Sequence, residues 1–264
     1  MPATKLIRLV EALGAPYGLE RSVKILPGAL ADDRYLLSVG CAALGKSPAD
    51  RLIQIGRELH MPQSFADALP VSLRRADVVH FGYEAGSHEV YKIYLEYASE
   101  VRQAMASMSQ TPQLVHLAYK WAPTRPDSAA VTRYTWLPCR TRNELEAKLR
   151  SLLPAKEAPR ALCCALGLVS QIASFADSGE LLLMDVEEAG NPRRSCDLNV
   201  YDAALRMHEI TDLLEAAMRD FAVPKQRSQL LFDRWANKAL GHLSAGIGRD
   251  GQEFVTIYFG VEAH

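Results

Sequence analysis

The chain has 264 residues, 48% of them hydrophobic, which is enough to fill the core of one large domain or two small ones. A formal net charge of −1 argues against a nucleic-acid or polyanion binder. No apolar run reaches the ~18 residues of a membrane helix, and the start, MPATKLIRLVEALGAPYG, is too polar for a secretory signal. Cys41, Cys139, Cys163, Cys164 and Cys196 form no C-x-x-C pair. The adjacent pair reads as buried thiols, and a reducing, cytoplasmic location is expected. His208-Glu209-Ile210-Thr211 lacks the second histidine of a zinc motif, and there is neither a Walker loop nor a G-x-S-x-G elbow.

The first seventy-odd residues read as mostly helical, with 22–44 left open between hairpin and helix. Ser47-Pro48-Ala49-Asp50 opens a helix with a cap, a proline and an acid in its first turn, and Leu52, Ile55 and Leu59 then share one face. From residue 77 a pattern recurs. DVVHFGYEAGSHEVYKIYLEYA is a strand, a glycine turn and a strand, followed by a helix over about 98–108. QLVHLAYKWAPTRPDSAAVTRYTWLP is a second pair. Thr141-Arg142-Asn143-Glu144 is a capping box for a helix through Leu153, and another helix spans about 159–176. ELLLMDVEEAGNPRRSCDLNVYD is a third pair. Asp202 is positioned to cap a helix carrying Ile210, Leu214, Ala217, Met218 and Phe221 on one face, and a further helix follows Pro224. GHLSAGIGRDGQEFVTIYFGVE is the fourth pair. Its GIGRDG segment matches the G-x-G-x-x-G fingerprint of dinucleotide sites, but the run behind it is β-branched and aromatic where such a loop needs a helix. The segment therefore reads as a hairpin tip.

The expected fold is α+β: one domain over 1–264, with a mostly helical 1–76 and repeated ββα(α) units over 77–262. The antiparallel strand pairs form a closed or strongly curved barrel wrapped by helices. Alternate strand residues separate two faces. One carries Val79, Phe81, Tyr83, Tyr91, Ile93, Leu95, Val115, Leu117, Tyr119, Cys196, Leu198, Val200, Leu243, Ala245, Ile257, Phe259 and Val261, and calls for a cover of helices. The other carries His80, Gly82, Glu84, Lys92, Tyr94, Glu96, His116, Ala118, Lys120, Asp197, Asn199, Tyr201, His242, Ser244, Thr256 and Tyr258. Such a face can simply meet water. Large amphipathic rings set beside small residues suit a lined cavity better.

Helices outside, antiparallel pairs inside and a polar aromatic lumen resemble the α-β-β-α barrel of the soluble aromatic prenyltransferases. The Lys92-Ile93-Tyr94 strand is similar to their Lys-x-Tyr strand. Those families close the barrel with five units, and four are clear here. The resemblance implies transfer of a prenyl group from an allylic diphosphate to an aromatic small molecule. Lys92, Tyr94, Lys120, Arg133, Asn199, Tyr201 and Tyr258 would then bind substrate, and Glu84 or Glu96 would accept the proton. It calls for no cofactor, with Mg2+ compatible, and for no aspartate-rich motif. Glu84 or Glu96 can equally be read as a plain cross-strand partner of Lys92. His80 and His116 read as packed core histidines, and no metal is assigned, although histidines and acids on adjacent strands could bind one if the register brings them together. Two other readings remain. One is a tunnelling-fold enzyme of ββαα units binding a purine or pterin through Glu84 or Glu187. The other is a non-catalytic ligand carrier or scaffold.

Overall fold

The computed structural model of the chain describes residues 2–172 and 181–264. Its helices are α1 (Pro2–Glu11), α2 (Pro48–Glu58), α3 (Gln63–Leu73), α4 (Ala98–Ala106), α5 (Arg142–Leu152), α6 (Pro159–Gln171), α7 (Thr211–Asp220) and α8 (Lys225–Trp235). The strands are β1 (Gly18–Leu26), β2 (Ala29–Ala31), β3 (Arg34–Gly40), β4 (Val78–Glu84), β5 (Val90–Glu96), β6 (Gln113–Ala122), β7 (Arg125–Trp136), β8 (Leu182–Glu188), β9 (Arg194–Asn199), β10 (Leu240–Ile247) and β11 (Glu253–Ala263). From β3 to β11 each strand hydrogen-bonds its sequence neighbours, and β11 returns to β1, so the sheet closes on itself. β3 pairs with Gly18–Arg21 of β1 and the short β2 with Lys24–Leu26, so β2 and β3 together form one interrupted stave. All pairings are antiparallel, and closure leaves no free edge between first and last strand.

Closure runs from Gly18 opposite Ala263 to Ile25 opposite Val255. The strands that make it lie in the stretch expected to be mostly helical. β1 does alternate, with Leu19, Val23 and Ile25 under the helices and Glu20 and Lys24 turned to the lumen, but Arg21 interrupts the apolar side and leaves the pattern too short to mark a strand. Residues 18–40 supply the fifth strand pair, and 77–262 alone would leave the barrel open.

Helices cover the outer face in two groups. Phe81, Ile93, Leu95 and Trp121 pack with Leu52, Ile55, Leu59 and Leu69 of α2, α3 and the turn between them. Leu198, Leu243, Val255, Ile257 and Phe259 pack with Leu162, Leu168, Leu214 and Met218 of α6 and α7. The Thr141 hydroxyl accepts from the Glu144 amide at 3.2 Å, as a capping residue should. The last pair is a hairpin, closed by the Gly248 amide donating to the Gln252 carbonyl at 2.8 Å. Gly246 adopts φ +153°, and a Cβ there would lie 2.2 Å from the Arg194 carbonyl, so strand packing accounts for this glycine.

Several details differ from expectation. Asp202 does not cap α7: Arg206 and Glu209 form the capping pair in a short 3-10 turn just before it. Cys164 is buried but Cys163 is exposed. The helix expected over 159–176 ends at Gln171, and residues 173–176 lie outside the described residues. Bulges change two faces. An irregularity between Leu114 and His116 turns Val115 into the lumen. Gly260, at φ +69°, shifts the β11 register, so Val261 leaves the helix-covered face and stands 53% exposed. Among the described residues no helix is long and apolar enough to cross a membrane.

Ending the chain after Gly251 removes β11 and leaves the facing backbone groups of β1 and β10 unpaired. It also removes the buried Val255, Ile257 and Phe259, each contributing about 1.5–3 kcal/mol, a sum that approaches the whole ~5–15 kcal/mol net stability of a domain. The truncated chain is expected to show no cooperative thermal transition by circular dichroism. Melting at the full-length temperature would show that closure is not what holds the fold.

Candidate active site

The polar face points inward, and among the described residues two cavities open in the lumen of this single closed chain. Tyr94, Tyr134 and Tyr258 line both and form the wall between them. The rings of Tyr94 and Tyr134 are 5.8 Å apart and tilted. Burial pushes the hydroxyls of all three above the usual tyrosine range, so they remain protonated.

The first chamber, of about 250 Å³, is cationic: Lys24, Arg34, Lys92, Lys120, Arg193 and Arg249 line it with Glu84 and Asp250. Lys92 and Lys120 are direct cross-strand partners, an arrangement that repels. Both are buried, and burial with neighbouring cations holds each ammonium well below the usual lysine range. Lys24 is lowered to about 7, mainly by burial and then by Arg34 and Arg193. Two carboxylates offset part of this charge. Glu84 pairs with Arg34 at 2.7 Å and with Lys92. Glu188 lies 3.9 Å from Lys120, pairs with Arg249 and accepts from the Thr132 hydroxyl at 2.5 Å. Burial would raise Glu188, but these partners bring it down to about 2. Gly82 faces Lys92, and a Cβ there would lie 3.2 Å from the lysine stem. Lys120 donates to the Tyr134 hydroxyl at 3.2 Å and stands 5.4 Å from that ring's centre.

The second chamber, of about 240 Å³, is lined by acids, histidines and apolar groups including Leu36, Val115 and Met184. Glu20 accepts from the Tyr201 hydroxyl, and burial raises its carboxyl above the usual range. A Cβ on Gly241 would lie 2.6 Å from both Glu20 Oε1 and the Tyr201 hydroxyl, so glycine there leaves room for the pair. His242 Nδ1 contacts Asp197 Oδ1 at 2.9 Å. Burial disfavours its charge, but Asp197 and then Glu20 and Glu96 outweigh burial and raise it to about 9. His80 joins Ser38 Oγ at 2.7 Å and Glu96 Oε2 at 2.8 Å. Burial would raise Glu96, yet the hydrogen bond from His80 and the charges of His116, His80 and His242 hold it near 2. Burial lowers His116 to about 4.

Lys92, Tyr94, Lys120 and Tyr258 thus meet at the cationic chamber, and Tyr94, Glu96, Asn199, Tyr201 and Tyr258 at the second. Tyr201 sits in a 3-10 turn after β9 and is partly exposed, and the Asn199 side-chain carbonyl already accepts from the Tyr201 amide at 3.2 Å. Two residues stand elsewhere than expected. Glu84 is across the tyrosine wall from Glu96, bound between two cations. Arg133 lies outside the barrel in a groove with Glu187, because its neighbours Thr132 and Tyr134 take the inward positions of β7. The alternation on β7 could have found Tyr134. Glu20, Lys24 and Arg34 were hidden in the ambiguous N-terminal segment. Arg193 and Arg249 come from hairpin loops, where no periodicity marks direction. The GIGRDG segment therefore does meet the cationic chamber, through the Arg249 side chain at a hairpin tip.

No family model matches the sequence, and no curated protein does. Solved structures do match. The 5-dimethylallyltryptophan synthase of Streptomyces coelicolor is 16% identical, with TM-score 0.61 over 92% of this chain and 80% of its own. Prenyltransferase PriB, in a ternary complex with L-tryptophan and dimethylallyl thiolodiphosphate, is 16% identical, with TM-score 0.58 over 92% and 79%. The 6-dimethylallyltryptophan synthase of Micromonospora olivasterospora is 12% identical, with TM-score 0.54 over 92% and 81%. The chain has the closed α+β barrel fold of these aromatic prenyltransferases, as the pattern of its strands implied.

Proposed function

We propose that the chain transfers a prenyl group from an allylic diphosphate to an aromatic small molecule within the barrel. The observation that carries this reading is the cationic chamber sharing a tyrosine wall with a second cavity. Lys92 and Lys120 are buried and mutually repelling, and both effects disfavour their charged ammonium forms. A polyanion in that chamber offsets the repulsion and compensates the buried charge, and one that is sheltered from water is bound by strong charge-assisted contacts. PriB, solved with a diphosphate analogue and tryptophan, is a precedent for a donor and an aromatic acceptor in this fold.

The chemistry follows from the layout. The allylic C–O bond breaks, and the diphosphate leaves with the electron pair, stabilised by Arg34, Lys92 and Lys120. The allylic cation is shielded by the faces of Tyr94, Tyr134 and Tyr258. An aromatic carbon of the acceptor attacks it, forming the C–C bond, and the ring then loses a proton. Glu20 is the proton acceptor we assign. Its raised carboxyl holds a proton better than Glu96, which His80 keeps near 2, while Glu84 serves to orient Arg34 and Lys92. Tyr201 orients Glu20 through its hydroxyl. The closed single-chain barrel and its two cavities weigh against the tunnelling-fold and scaffold readings.

Isothermal titration with dimethylallyl diphosphate should give saturable binding that Lys92→Ala weakens roughly ten- to hundredfold. Tyr258→Phe should change that affinity little and lower turnover more. Absence of heat with every allylic diphosphate tried would remove the reading. Glu20→Gln should leave diphosphate affinity intact and lower turnover by about 10²–10⁴. Wild-type turnover should fall as pH drops through the raised Glu20 pKa, since the base is then protonated, and the glutamine variant should lose that limb of the profile. An unchanged acid limb in Glu20→Gln would assign the proton to another group.

A further inference from the structure

One cluster in the second chamber has no part in the chemistry above. His80 on β4, Glu96 on β5 and His116 on β6 occupy three adjacent strands. Glu96 and His116 are direct cross-strand partners, while His80 faces Tyr94, two residues from Glu96. One ligand-type atom from each lies within 4.8 Å of the others. The His80–Glu96 hydrogen bond accounts for two of the three. It leaves out His116, whose buried Nδ1 has no hydrogen-bond partner among the described residues. A buried polar atom without a partner is uncommon and destabilising, and it calls for a reason.

We propose that His80, Glu96 and His116 bind a late first-row divalent cation, with Zn2+ the best fit. Two imidazoles and one carboxylate are a donor set suited to such ions. With metal–ligand distances of about 2.0–2.1 Å, tetrahedral ligand atoms sit roughly 3.3 Å apart. His80 Nε2 and Glu96 Oε2, at 2.8 Å, already lie inside that separation. The ion enters between them, replaces their hydrogen bond, and draws in His116, whose ligand atom lies within 4.8 Å of theirs. Outer contacts are in place. Ser38 Oγ holds the second nitrogen of His80 at 2.7 Å, as the outer partner of a ligand histidine does. The rings of Tyr94 and Tyr134 meet His116 edge-on at 6.4 and 5.6 Å and restrict its rotation. Three protein ligands leave at least one coordination position, which opens into the chamber.

The test uses the full chain without an affinity tag, stripped with a chelator and dialysed against Zn2+, with bound metal read by mass spectrometry. One ion per chain is expected, and Co2+ in its place should give the visible absorption of a low-coordinate site. Glu96→Gln and His116→Gln should each weaken Zn2+ binding at least tenfold, and Ser38→Ala roughly tenfold. The isosteric Glu96→Gln, with an unchanged melting temperature, separates ligation from folding if His116→Gln is unstable. No retained Zn2+ would overturn the proposal. So would equal retention by wild type and Glu96→Gln, or loss in Asp197→Asn without loss in Glu96→Gln, which would move the ion to the opposite wall. Titrating the metal-free chain with dimethylallyl diphosphate reads the other chamber, so failure of the metal site and failure of the prenyl-transfer reading are separate results.

Discussion

Everything in this molecule depends on the hydrogen-bonded pairing of β1 with β11, which joins residues more than two hundred positions apart. Without it the polar face of the sheet would meet water and could be met by any solvated side chain. With it that face becomes a lumen, and each inward residue loses its solvent and must find partners within the barrel. The helices are a consequence, because the opposite face is apolar along its length and needs cover. Closure also explains the irregularities. The bulge at Leu114–His116 and the positive φ of Gly260 bend strands that must curve, and both turn an apolar side chain toward the cavity.

Burying charge is the main electrostatic strain of the fold. Lys92 opposite Lys120, with Arg34 close by, is a combination no stability argument would select. Glu84 and Glu188 make it tolerable by pairing with four of the basic groups. The acids offset the repulsion in part, and the depressed lysines measure what is left. This surplus adjoins three aromatic rings, with Lys120 over those of Tyr94 and Tyr134, so the cationic chamber borders a surface that attracts cations through its π-faces.

The second chamber is balanced in the other sense. Asp197 holds His242 protonated, and a hydrogen bond with His80 helps to keep Glu96 ionised, while Glu20 is left with a raised carboxyl against Tyr201. Two adjacent cavities of different electrostatic character, divided by hydroxyl-bearing rings, would give the proposed prenyl transfer a direction, with diphosphate leaving on one side and a proton on the other. The solved barrels of the same fold are under one-fifth identical to this chain, so the framework is shared while the groups that line the lumen, its histidines included, are this chain's own.

The sequence by itself determined the strand pairs from 77 onward, their polar and apolar faces and the turns between them, because those depend on alternation and local turn chemistry over a few residues. Phe81, Ile93, Leu243 and Phe259 fall under helices as their spacing requires, and Lys92, Lys120 and Tyr94 fall inside for the same reason. Only the tertiary structure decided the rest. Arg21 breaks the apolar side of β1, and its pairing with β11 and β3 is set by distant residues, so Glu20 and Lys24 on β1 and Arg34 on β3 were hidden. Val115 and Val261 change face at bulges, which arise from the curvature of a closed sheet. The division of Glu84 from Glu96 follows from depth along one strand pair: both point inward, but on opposite sides of the tyrosine wall. Alternation gives the side of a strand on which a residue lies; how far along the barrel it sits, and which charges it meets there, is set by contacts distant in the chain.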